Sequence, residues 1–388
     1  MKNTFSLLIL IALSQFLAAQ SLQDLSFGNT STLDIVTWNI EHFPKNGQTT
    51  MNMVSEAIIN LEADIFAMQE IDDTVLFKQM LTTIPGYEGY YKSGYYGGLV
   101  YIYNSTEIQI NSIYEIYTTY QYWSPFPRAP KVMDFNFKGE NYILINNHLK
   151  CCGNGYLDLS NPNDEEYRRY LASNLLREYI NNNFGNKKVI VVGDLNDVLT
   201  DSPANNVFQT IINDTENFLF ADMGIATGSA SNWSYPSWPS HLDHILITNE
   251  LFPVFENTNS EIVTIKIDQY LPGGWSEYDQ KMSDHRPIGI KLNANLSSSL
   301  NEVNSSKLIF SCAPNPFKNY TTFYFDAADQ GSIIEIISTN GQIVKTIPLN
   351  AGQNTATWNI EGLPNGIYYA VLKTTFNTFV SKKIVLNR

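Results

Sequence analysis

Between Asn293 and Lys307 the chain reads NANLSSSLNEVNSSK, and the periodicity of the sequence differs on its two sides. Before this stretch, strand-like and helix-like patterns alternate from Thr32 to about Leu292. After it, short strand-like runs recur between turn signals and no helical pattern intrudes. A Ser- and Asn-rich segment with few apolar residues cannot bury enough surface to order itself, so it reads as a flexible linker. A chain of 388 residues has length for two or three domains. The switch in period says they differ in class.

In the first segment, LDIVTWNI and ADIFAMQEI read as buried strands, being β-branched and aromatic. Between them, Met53, Ala57, Ile58 and Leu61 fall at helical spacing. GGLVYIYN is a further strand, and KVMDFNFKGENYILINNHLK a hairpin turning at Lys138–Asn141. NDEEYRRYLASNLLREYINNNF reads as an amphipathic helix whose acidic first turn suits the helix dipole. KKVIVVGDLND, HLDHILIT and HRPIGIKL complete an α/β pattern of layered helix and sheet. Beyond the linker, TTFYFD, SIIEIIS, QIVKTIPL, TATWNI, GIYYAVLKT and FVSKKIVL predict a small all-β sandwich.

The N-terminal MKNTFSLLILIALSQFLAAQ combines a basic start, a short apolar run and small residues at Ala18 and Ala19. It reads as a signal peptide covering 1–19, without a cysteine for lipid attachment. The apolar run is too short for a stable membrane span, so a soluble exported protein, expected to be a monomer, follows. The net charge of −14 argues against a broad electrostatic grip on nucleic acid; any grip on a polyanion must be local. The three cysteines, Cys151, Cys152 and Cys312, form neither a disulfide framework nor a zinc motif.

The pentapeptide TWNIE occurs twice, from Thr37 and from Thr357. The second copy sits in a sandwich strand, where Trp358 and Ile360 face one way and Asn359 the other. The first keeps different company. Polar groups recur at strand ends: Asn39, Glu70, His148, Asp194 with Asn196, Asp243, and Asp284 with His285. Ligand-binding and catalytic groups gather at strand ends in layered α/β folds.

Taken in this order over residues 30–293, the set resembles the endonuclease/exonuclease/phosphatase superfamily, whose members include deoxyribonuclease I-like nucleases, sphingomyelinases and inositol-polyphosphate phosphatases. The resemblance implies an α/β fold: a two-sheet β-sandwich flanked by helices on both outer faces, here followed by the small all-β sandwich. It implies a Mg²⁺-dependent phosphodiesterase, with Mn²⁺ as a substitute and a structural Ca²⁺ left open. Asn39, Glu70 and Asp284 would hold the metal. His148, Asp194, Asn196, Asp243, Asp284 and His285 would be catalytic, with the two histidines flanking the phosphorus. Arg128 in PFPRAPKVMDF matches a phosphate-contacting arginine, and Tyr95 a substrate-contacting tyrosine. Arg128 reads equally well as a solvated loop residue. Nucleic acid is the expected substrate, with phospholipid or a small phosphoester as the alternative and an inactive binding protein as the other class. The nucleases carry a glutamate after the tyrosine; GYYGGLVYIY has none, which leaves His148 without an evident partner. Glu41 and His42 read as supporting residues. The tail, 309–388 after a linker at 294–308, resembles the C-terminal sorting domain of type IX secretion through APNPF, STNGQIV and GLPNGIYY. That implies the secretion machinery as a partner and a secreted or cell-surface destination.

Overall fold

A computed structural model describes residues 20–92, 98–293, 310–326, 328–339, 342–360, 362–373 and 379–388. The expected signal peptide, Tyr95 and the linker at 294–308 lie outside them. The chain divides into two compact units, Met1–Leu296 and Ser297–Arg388.

The first unit holds twelve strands among its described residues. They are β1 (Leu33–Phe43), β2 (Ile65–Ile71), β3 (Tyr87–Tyr90), β4 (Gly98–Asn104), β5 (Ile108–Glu115) and β6 (Lys131–Phe137). β7 (Glu140–His148), β8 (Lys188–Asp194), β9 (Phe218–Phe220), β10 (Asp243–Thr248), β11 (Glu261–Thr264) and β12 (Ile288–Leu292) follow. They form two six-stranded sheets, ordered β11-β12-β1-β2-β4-β3 and β5-β6-β7-β8-β10-β9. At the centre of each lies one parallel pair, β1 with β2 and β7 with β8; the outer pairings are antiparallel. A parallel pair needs a crossover. Helix α1 (Gln48–Leu61) supplies one and helix α3 (Glu165–Asn183) the other; α2 (Thr74–Leu81) follows β2.

Alternation along the strands builds three apolar layers. Leu33, Ile35, Leu144, Ile190, Val192, Ile245 and Ile290 fill the space between the sheets. Val36, Trp38, Phe66 and Met68 face outward onto Val54, Ile58, Phe77 and Met80 of the first two helices. Ile143, Ile145, Val189 and Val191 face outward onto Ala172, Leu176 and Ile180 of α3. The sandwich flanked by helices on both outer faces is therefore present.

The β6–β7 hairpin is tighter than the sequence indicates, because Phe137 pairs with Glu140. Its two turn residues, Lys138 and Gly139, have φ of 49° and 84°, matching the twist of the strands they join. Strands β3 and β5 escape the sequence patterns because their faces are half exposed and polar at alternate positions. Helix α2 is only 8 residues long, fixed by Asp73, whose carboxylate accepts from the Val75 and Leu76 amides.

The second unit contains strands β13 (Phe310–Ala313), β14 (Tyr320–Phe325), β15 (Ile333–Ser338), β16 (Ile343–Pro348), β17 (Thr355–Asn359), β18 (Gly366–Lys373) and β19 (Phe379–Leu386). They pair antiparallel in two sheets, β13-β14-β17 and β16-β15-β18-β19. Phe323, Ile334, Ile336, Trp358, Ala370 and Ile384 form its core. In the second TWNIE copy Trp358 is core and Asn359 is exposed, so the repeat is a shared strand pattern with unrelated surroundings.

Candidate active site

The face between the sheets is hydrocarbon at one end and polar at the other. On β1 the inward row reads Leu33, Ile35, Thr37, Asn39. On β7 it reads Tyr142, Leu144, Asn146, His148, and on β8 Ile190, Val192, Asp194. Strand β10 enters from the polar end with Asp243 before Ile245 and Ile247. Below the cluster lies a buried hydrogen-bonded layer, because buried polar groups need partners. Gln69 Nε2 donates to Thr37 Oγ1 (3.1 Å) and Asn146 Oδ1 (2.8 Å), and Asn146 Nδ2 to the Met68 and Val100 carbonyls.

Glu70 should face outward, next in line after Phe66 and Met68. It has a φ of 62°, and the β1–β2 register shifts between Asn39 and Phe43. This left-handed residue breaks the alternation and brings Glu70 Oε1 to 3.2 Å from Asn39 Nδ2. Glu41, His42 and Asn196 are also left-handed. Such conformations cost about 1–3 kcal/mol each and cluster at working sites. In GDLND the glycine is required: a Cβ on Gly193, whose φ is 141°, would stand 1.9 Å from the Asn147 carbonyl oxygen. Its absence lets β7 and β8 approach where His148 pairs with Asp194.

The strand ends meet around one atom, Asp194 Oδ2. Asn39 Nδ2 donates to it at 2.9 Å, while His148 Nε2 stands 3.5 Å and His285 Nε2 3.9 Å away. Burial pushes the Asp194 carboxyl up to about 7. The two imidazoles are held in opposite states. Burial alone would pull His285 down, but the Asp243 and Asp194 carboxylates outweigh it and raise it to about 10. Its Nδ1 donates to Asp243 Oδ2 at 2.7 Å. His148 is held well below its ordinary value by burial, reinforced by the charges of Arg128 and His285. Its Nδ1 is buried without a hydrogen-bond partner among the described residues.

Supporting contacts fix this geometry. Tyr278 receives the Trp38 indole N–H (2.9 Å) and donates to the His285 carbonyl (2.5 Å). Ser283 Oγ donates to the Asn39 carbonyl (2.7 Å), and the Tyr235 ring lies 4.8 Å from that of His285. Glu41 Oε2 accepts from the Asp284 amide (2.8 Å), and burial raises the Asp284 carboxyl to about 6. Asn39 Oδ1 accepts from the Glu41 amide (3.0 Å), so it is the amide nitrogen of Asn39 that faces Glu70 and Asp194. Asn196 places its backbone N–H on Asp194 Oδ1 (3.0 Å) and its side-chain amide on the Leu149 carbonyl. Arg128 precedes β6 and makes its charge felt at His148. Tyr235, Tyr278 and Ser283 carry no sequence signal for these positions; their roles exist only in the folded contacts.

Among the described residues, two groups with every member buried have ligand atoms close enough to suit a cation: Asp194, Asp243 and His285, and Asp222, His241 and His244. The second is fully committed to hydrogen bonds. Asp222 Oδ2 takes His241 Nε2 (3.0 Å) and His244 Nδ1 (2.6 Å), His244 Nε2 meets the Asp197 carbonyl (2.8 Å), and His241 Nδ1 accepts the Ser234 amide (3.3 Å). Ser234 Oγ in turn accepts the Asp243 amide, so this triad braces the start of β10. Burial opposes both charges, yet their mutual attraction wins: His244 is raised and Asp222 lowered. His244→Gln, which strands a buried carboxylate, is expected to cost about 3–5 kcal/mol. The stability His244 adds is complete below its unfolded pKa of about 6.5 and is lost as pH rises through its folded value. Asp222 adds stability above about 3.9, lost as pH falls. Thermal melts should show the wild-type advantage largest near pH 5–6 and shrinking at alkaline pH. An advantage independent of pH would refute the charged pair.

The sequence pattern of the Endonuclease/Exonuclease/phosphatase family matches residues 36–285, and that of a secretion system C-terminal sorting domain matches residues 311–387. No curated protein matches. Among solved structures, D. rerio TDP2 in complex with a single-stranded DNA product is similar at 14% identity and a TM-score of 0.51, over 68% of this chain and 99% of that one. A humanized D. rerio TDP2 carrying 14 mutations is similar at 14% identity and a TM-score of 0.50, over 68% and 100%. At this identity the likeness speaks for the fold.

Proposed function

The chain belongs to the Endonuclease/Exonuclease/phosphatase family, and from that premise we propose that it is a metal-dependent phosphodiesterase acting on nucleic acid outside the cell. The family makes it a phosphoesterase, and its C-terminal sorting domain marks it for export to the cell surface or beyond. The observation that carries the proposal is the convergence of both histidines, from opposite sheets, on Asp194.

The donor set suits a hard divalent cation. Glu41, Glu70, Asp194, Asp243 and Asp284 concentrate carboxylate at the polar end of the sheets, and among the described residues Asp243 Oδ1 is buried without a hydrogen-bond partner. Glu70 and Asp284 would hold the ion, with Asn39 donating to Glu70 to steady it. Bound there, Mg²⁺ would polarise the phosphoryl oxygens, an effect worth several kcal/mol. His285, protonated and aimed by Asp243, fits the proton donor or the stabiliser of developing charge. His148, neutral, fits the hydrogen-bonding partner on the other side. Asp194 and Asn196 would position the attacking water and the phosphate oxygens, and Arg128 a phosphate.

The proposal is tested by assaying the mature protein on plasmid DNA, RNA, sphingomyelin and inositol phosphates, with and without EDTA. EDTA-sensitive cleavage of a polynucleotide is expected, equally from the full chain and from one ending near Leu300. Activity indifferent to EDTA removes the metal, and activity lost with the tail makes the sandwich part of the enzyme. The phospholipid reading draws on Trp238, which is 79% exposed in the loop that also carries Tyr235; preference for sphingomyelin would establish it.

A further inference from the structure

We infer that a cleft beside the catalytic cluster is the binding track for a single-stranded nucleic acid running away from the scissile phosphate. The inference rests on the phosphodiesterase reading for its orientation, but its chemistry is independent of it. The cleft has a volume of about 690 Å³, and its lining includes Ile71, Asp72, Trp123, Arg128, Lys150 and Arg168. It neighbours the site: Ile71 follows Glu70, Lys150 lies two residues beyond His148, and Arg128 acts electrostatically on His148.

Charge marks it. In a chain of net charge −14, several partly or fully buried arginines are spent on acids, as in Arg169–Asp197, Arg177–Asp214 and Arg286–Asp268. Among the described residues, Arg128, Lys150 and Arg168 make no ion pair. Arg168 Nε is anchored on the Ser124 carbonyl (2.7 Å), which holds its guanidinium in the cleft lining. Asp72 lines the cleft too, but its carboxylate is taken by His42 Nδ1 at 2.8 Å. Three unspent cations beside Trp123 are the elements of a single-strand site: a positive groove for successive phosphates and an aromatic face for a base. A phospholipid headgroup, with one phosphate at the scissile position, would leave Lys150 and Arg168 without anions.

The test is fluorescence anisotropy of a labelled single-stranded DNA 12-mer on the full chain and on a Lys150→Gln/Arg168→Gln double variant, as a function of salt. The double variant should bind at least about tenfold more weakly, and its log–log salt slope should fall by roughly 1.4, since each phosphate contact on a single strand contributes about 0.7. The Lys150→Arg/Arg168→Lys pair, which keeps the charges, should restore the slope; failure to restore it assigns the loss to altered packing and overturns the inference. Turnover supplies a second arm. Relative to bis(p-nitrophenyl) phosphate, which is too small to reach the cleft, kcat/KM on the 12-mer should drop about tenfold. Equal loss on both substrates, or unchanged binding and slope, overturns the cleft even where phosphodiesterase activity stands. Loss confined to sphingomyelin vesicles would assign the cleft to a membrane instead. A wild type that cleaves no diester defeats the catalytic reading, while the salt slope still decides the cleft.

Discussion

His285→Ala is expected to lower kcat on a phosphodiester by roughly 10²–10⁴-fold, with KM changing far less. The ring's Nδ1 is committed to Asp243 at 2.7 Å, its Nε2 faces Asp194, and Tyr278 and Ser283 fix the backbone on either side. The imidazolium is thus prepared before substrate arrives, which is where a general acid gains over water. His148 is held well below its ordinary pKa by burial, and its Nδ1 lacks a partner among the described residues, so His148→Ala should cost less. If both act in one transition state, the double variant should be barely slower than His285→Ala. Circular dichroism and melting curves establish that each variant folds. Near-full activity of both folded single variants on every diester would replace catalysis with binding as the function of this cleft.

Glu70→Gln should raise the half-saturating Mg²⁺ concentration and depress turnover about 100-fold at moderate Mg²⁺, the equivalent of ~2.7 kcal/mol. The substitution removes the charge and one acceptor, since the group facing the Asn39 amide becomes an NH2. A glutamine oxygen can still accept the His42 amide, which reaches Glu70 Oε2 at 3.0 Å. The backbone demand at φ 62° is the same for both residues. Excess Mg²⁺ should recover part of the activity. Calorimetric titration of Mg²⁺ without substrate reads the same loss independently of turnover. Unaltered Mg²⁺ affinity would take Glu70 out of the metal site.

Much of this was legible in the sequence because strands announce themselves by alternation and end in polar residues. The row from Leu33 to Asn39 can be read from its side chains alone, as can those ending at His148 and Asp194. Glu70 is the instructive exception. Its parity in β2 points it toward the helices, and a left-handed backbone, invisible in the sequence, turns it into the site. The Asn39 amide is a second case: only the position of the Glu41 N–H decides which of its two ends faces the acids. Asp222 meets His241 and His244, and Arg168 of α3 meets Arg128 and Lys150, only through the fold, so sequence spacing reveals neither the whole brace nor the cationic cleft.

The parallel pairs at the heart of the two sheets set the order in which the site can come into being. Asn39 and Glu70 emerge early in synthesis, His148 and Asp194 midway, and Asp243 and His285 last. Contacts this distant in sequence form late, after the chain has accepted the entropy of closing long loops. At about 5–20 residues per second, a ribosome leaves the first half of the cluster without the second for many seconds. A chain stalled or clipped before His285 lacks the imidazolium and the whole of β12, which joins β1 to β11 in its sheet. The wiring of the fold therefore acts as a built-in delay, withholding the assembled cluster until the whole catalytic unit has been made and folded.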